Sequence, residues 1–192
     1  MLTSITLGLA AGIFFAGALS SEQSNELSLF IRNFCVNTGL ASVPLSSIFK
    51  AAIYSHLRLF VIIYICGFSV MLTPVIFCAI GFKMFEIGFT VGFMSLYFGL
   101  KGFLLTFAAS LSQIIILIPP IVLFGVQAIN YANERKKMKA TRMSNIKQNE
   151  RQEFMHYLNA SLFCLAFIII SCLIETFITP VFIRNIAPAL LS

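Results

Sequence analysis

The sequence has no aspartate and no tryptophan, and only two histidines and seven glutamates in 192 residues. That scarcity excludes most catalytic chemistry. General acid–base work draws on paired carboxylates or on a histidine poised near neutral pH, and here the glutamates are scattered. His56 and His156 open different apolar segments, expected on opposite sides of a membrane, so they cannot share a metal. The motifs of a serine-hydrolase elbow, a phosphate-binding loop and a zinc-protease helix are all missing. Of five cysteines, Cys66, Cys78, Cys164 and Cys172 lie in apolar segments, where a free thiol behaves as a small hydrophobe. Cys35 stands alone and no C-x-x-C spacing occurs, so neither a disulfide framework nor a zinc or redox site is expected. The expectation is a protein that is not an enzyme and holds no cofactor and no metal.

Charge is scarce too. Charged residues make up 10% of the chain, against roughly 25% in a soluble domain. Seven of the thirteen basic residues, Arg135, Lys136, Lys137, Lys139, Arg142, Lys147 and Arg151, crowd into one stretch. No aromatic interleaving or binding motif accompanies them, which argues against nucleic acid. Between two apolar segments they instead mark a cytoplasmic loop, because positive charge is retained on that side.

Apolar residues are what the chain has in abundance, at 59% with a mean hydropathy of +0.95. An α-helix needs about 20 mainly apolar residues to cross a hydrocarbon layer of about 30 Å. The pattern predicts an all-α fold: a polytopic transmembrane bundle of about five spans, one integral membrane domain over residues 1–192, with the lipid bilayer as its main partner. The expected spans are 2–19, 57–80, 82–99, 102–130 and 155–178. Residues 2–19 are read as a membrane helix rather than a signal peptide, because Met1 to Thr6 carries no charge. Residues 20–55 form an extracytoplasmic loop with two short amphipathic helices, one striped by Leu27, Phe30, Ile31 and Phe34 and one by Leu45, Ile48, Phe49, Ala52 and Ile53. Residues 131–153 form the basic cytoplasmic loop. Alternation then puts the N-terminus inside, Lys83 inside and the C-terminus outside.

Within the spans, a few residues interrupt the apolar pattern. Gly81, Gly88, Gly92 and Gly99 share one side of the third span, with Gly88-x-x-x-Gly92 as a close-packing motif. The stripe serves packing within the chain or a homo-oligomer seam. Thr73-Pro74 predicts a kink in the second span, and Pro119-Pro120 a kink or break in the fourth, with Ser110, Ser112 and Gln113 placed to satisfy the freed backbone groups. Thr179-Pro180 is expected to end the last span. Glu86 follows Lys83 by three residues, an inexpensive interfacial pair. Glu175 falls well along the last span, near the outer interface, and intramembrane ionisable groups are costly unless paired or functional. Arg58 or His56 could pair with it, or it could serve a docking contact or a substrate path.

These residues also carry a likeness. Gly88-Phe89-Thr90-Val91-Gly92-Phe93, Gly99-Leu100-Lys101-Gly102, Leu111-Ser112-Gln113, Ile118-Pro119 and Glu175-Thr176-Phe177-Ile178-Thr179-Pro180, preceded by His56-Leu57-Arg58, stand in an order and spacing that resembles the stage II sporulation protein M family. The resemblance covers essentially the whole chain. It implies a non-enzymatic scaffold in the mother-cell or septal membrane of a sporulating bacterium. Such a scaffold anchors the cell-wall hydrolases, stage II sporulation proteins D and P, during engulfment and peptidoglycan remodelling. An alternative is a membrane subunit of an ABC-exporter-like transporter, for which a broken, Gln113-bearing fourth span would form a substrate path.

Overall fold

The computed structural model describes residues 1–40, 44–140 and 146–191. Among them there is no strand; the chain runs through six helices, α1 (Leu2–Gly17), α2 (Ser21–Leu40), α3 (Leu45–Cys66), α4 (Thr73–Ser112), α5 (Ile118–Ala140) and α6 (Ile146–Leu191). A 3-10 turn, Val70–Leu72, precedes α4, and a π turn, Gln113–Leu117, joins α4 to α5. Four stretches of the described residues are long and apolar enough to cross a membrane, or five if α1 and the start of α2, bent by 103° from each other, are counted together as one broken span. The chain is a polytopic, all-helical membrane bundle.

Several boundaries differ from those expected. The helix expected over 57–80 is two helices. α3 starts at Leu45, so the second amphipathic stripe is its first half rather than a separate helix, and the first stripe lies in the twenty-residue α2. α3 stops at Cys66, and Gly67, which follows it, packs against the Tyr157 side chain. Pro74 does not kink a span. It occupies the first turn of α4, where its missing N–H has no intrahelical partner to lose. The third span therefore begins near residue 73 rather than 82. It ends at Gly99, whose φ of 61° and ψ of −149° break the helix; such a φ is open to glycine at little cost.

The 102–130 segment continues as α5 to Ala140, and α6 starts at Ile146, so most of the expected 131–153 loop is helix end. Arg142 lies outside the described residues, as do the side chains of Cys35, Ser112, Lys139 and Lys147. α6 also runs on through position 180, since a proline removes a single donor and apolar helices tolerate that loss. The Pro119-Pro120 pair is accommodated by the π turn just before it, which widens the helix by one residue where two donors are lost.

Two kinds of packing hold the bundle. α1 lies parallel to α4 in the most extensive helix pairing of the molecule. A Cβ on Gly8 would strike the Gly81 carbonyl, one on Gly12 the backbone of Phe85 and Phe89, and one on Gly88 the backbone of Leu9. Added to Gly92, it would stand 3.1 Å from Ile13 Cα. Backbone thus meets backbone along the seam.

The second core joins α3, α5 and α6 with the start of α4. Phe60, Ile63, Ile76, Leu117, Phe124, Tyr157 and Ile168 are buried in it. Tyr157 stacks on Tyr131 with ring centroids 4.7 Å apart and donates a hydrogen bond from its hydroxyl to the Tyr64 carbonyl at 2.9 Å. Gly125 of α5 leaves room for Met1, beside Ile76 and Ile80 of α4. These contacts place Met1, the start of α4, the end of α5 and the start of α6 at one end of the bundle, the basic one.

Candidate functional site

Toward the other end, three polar side chains from three helices meet. His56 lies midway along α3, Gln113 opens the π turn, and Glu175 is on α6. His56 Nε2 is 3.0 Å from Glu175 Oε2, and Gln113 Nε2 donates to Glu175 Oε1 at 3.0 Å. Each carboxylate oxygen therefore has one partner. The imidazole is 1% exposed and Glu175 20%. Removing such a group from water is costly unless its hydrogen bonds are replaced, and the triad replaces them for Glu175. His56 Nδ1 remains buried without a partner, as does Ser171 Oγ, one turn before Glu175. Below the carboxylate, Thr176 Oγ1 donates to the Cys172 carbonyl at 2.6 Å.

The π turn gives Gln113 its place. The inserted residue shifts the register of α5 relative to α4, and π turns recur where a side chain must be re-aimed. The role expected of Gln113 is to satisfy backbone groups freed by the prolines; the hydrogen bond its amide makes in the structure goes to Glu175. Chemically the triad can hold a proton between imidazole and carboxylate, with the amide fixing the carboxylate's orientation. Ser171 Oγ makes no hydrogen bond to His56. No group of three metal-ligating side chains occurs among the described residues.

Arg58 is not part of this cluster. Two residues from His56, it points to a different side of α3, as i and i+2 positions on a helix do. It is exposed and lines a small cavity of about 60 Å³ with Ser55, Lys83 and Glu86. Lys83 and Glu86 pair at 2.9 Å. Neither lies at a helix end, however. With α4 starting at Thr73, Lys83 is about 15 Å along the helix axis.

Of the glycine stripe, Gly81, Gly88 and Gly92 lie against α1, but Gly99 does not; a Cβ there meets nothing within 4 Å. The facing half of the seam, Gly8, Gly12 and Ala16, is absent from the expected site. Its signal was present as small residues four apart on the first apolar segment.

No curated protein and no solved structure shows a match to the chain. The family model of stage II sporulation protein M matches residues 1–180, nearly the whole length and including all three members of the polar triad. The chain is thus a multi-pass, sporulation-related membrane protein and belongs to the stage II sporulation protein M family.

Proposed function

We propose that this protein is a non-enzymatic membrane scaffold that anchors cell-wall hydrolases, of the kind of stage II sporulation proteins D and P, while the forespore is engulfed. Family membership supports this reading. The observation that carries it is the asymmetry of the bundle. The described basic residues of the cluster, Arg135, Lys136, Lys137 and Arg151, sit at one end, and α2, bent by 103° from α1 and packed on α6, lies at the other. By the positive-inside rule the basic end faces the cytoplasm, and both the N-terminus beside it and the outside C-terminus follow. α2 and the Glu175 triad then face the wall, where a hydrolase works. Leu29 and Phe30, both exposed on α2, offer an apolar contact there.

The test is recovery of partners with the tagged full-length protein from sporulating cells. The hydrolases should co-purify with the parent and be lost from a Leu29→Glu/Phe30→Glu variant of normal membrane abundance. An ATPase subunit recovered without hydrolases would overturn the scaffold reading in favour of a transporter.

A further inference from the structure

The basic end holds two cavities for which anchoring a wall enzyme has no use. One, of about 310 Å³, lies between the turn before α4 and the end of α5, lined by Phe68, Ser69, Met71, Arg135 and Lys136 among others. The second, of about 330 Å³, is lined by Arg135 together with Tyr131, Arg151 and Phe154, and also by the Glu150 carboxylate, which offsets part of its positive charge. Arg135 faces both. Its guanidinium is held over the Phe68 ring, 5.6 Å from the centroid. A planar fork stacked in this way is oriented before any anion arrives, unlike a lysine swinging in water.

The charges in these cavities also differ from an ordinary solvated basic face. Lys137 is neutralised by Glu134 at 2.7 Å, whereas no ion pair among the described residues involves Arg135, Lys136 or Arg151. Beside the first cavity stands Met71, 89% exposed, more than any other large apolar side chain among the described residues. A cavity with two free cations on one wall and an exposed apolar lip on the other matches an amphiphile carrying a phosphate. A soluble phosphate would leave the lip without a function.

The geometry points to a binding site for an acidic phospholipid at the basic end of the bundle. Arg135 and Lys136 hold the headgroup phosphate in the first cavity, and Met71 lies against the acyl chain. Arg151 and the second face of Arg135 receive any further anionic group of the headgroup. Basic pockets between membrane helices on the cytoplasmic side recognise anionic headgroups in this way.

The test uses the full-length protein in uncharged detergent. The chain has no tryptophan, so unfolding is followed, in a Cys35→Ser/Cys78→Ser background that removes the exposed thiol of Cys78, through a dye that reacts with the buried thiols Cys66, Cys164 and Cys172 as they become exposed. Phosphatidylglycerol or diphosphatidylglycerol in mixed micelles should raise Tm by roughly 5 °C, the scale expected of a ligand well above its Kd. Phosphatidylcholine and millimolar inorganic phosphate should not. Arg135→Gln/Lys136→Gln should lose at least half of the shift, and Lys137→Gln should keep it. Should the double variant fail to accumulate, Lys136→Gln, at an exposed position, makes the same comparison. An equal shift with phosphatidylcholine, an equal shift with inorganic phosphate, or a full shift in the variants would each overturn the site.

Discussion

The α1–α4 seam and the α3–α5–α6 core solve one problem by opposite means. In a bilayer, burial of apolar surface does little to drive helices together, because lipid tails are as apolar as leucine. The seam answers with close approach: glycines on both helices bring backbones into contact, so dispersion is gathered over the whole length. The α3–α5–α6 core instead uses large rings and, beside them, a half-buried polar triad built on the buried His56, in which direction and partner identity count. The seam should therefore be intolerant of volume, and the core intolerant of an unpaired polar group.

The largest expected effect tests the seam. Gly88→Leu should abolish stable accumulation in the membrane, because its Cβ alone already collides with the Leu9 backbone, which cannot rotate away. Normal abundance of this variant would mean that α1 does not pack there.

The next effect separates pairing from packing in the core. Glu175→Gln should destabilise the protein by about 3 kcal/mol, as the loss of one partner strands the buried imidazole. His56→Leu combined with Glu175→Leu should cost less than the sum of the two single changes, since neither of these two partners is left behind without the other and only Gln113 loses its acceptor. Thermal unfolding of His56→Leu, Glu175→Leu and the double variant decides this; strict additivity would show His56 and Glu175 to be neighbours without mutual dependence.

The smallest effect sharpens the seam residue by residue. Gly81→Ala should be neutral or stabilising by up to about 1 kcal/mol, as alanine favours helix, because its Cβ meets Ser4 only at the ordinary distance of 3.4 Å. Gly92→Ala meets Ile13 Cα at 3.1 Å and should be less stable than Gly81→Ala. The reverse order of melting temperatures would refute the close-approach account.

Much of the architecture was legible in the sequence. Composition and apolar runs indicated a helical membrane bundle, and the spacing of Gly88 and Gly92 indicated a close-packed face. His56, Gln113 and Glu175 stood out as polar residues in apolar surroundings. Boundaries were less legible. Hydropathy did not separate residues 57–66 from 74–80, since both are apolar and the break between α3 and α4 carries no charged residue to mark it. Gly99 looked like a member of the packing stripe because spacing carries no information about φ. Arg58 and His56 were equivalent candidates for Glu175 until α3 had a definite rotation about its axis.

The sequence by itself determined the class of structure and the end that carries positive charge, because both follow from local composition: the length of apolar runs and the clustering of Lys and Arg. Tertiary structure alone decided which helix the glycines face, which basic group meets Glu175, and what the Pro119-Pro120 pair does to its helix. Those outcomes depend on the rotation and register of one helix against another, set by contacts between residues far apart in the chain. Periodicity along a single segment does not encode them.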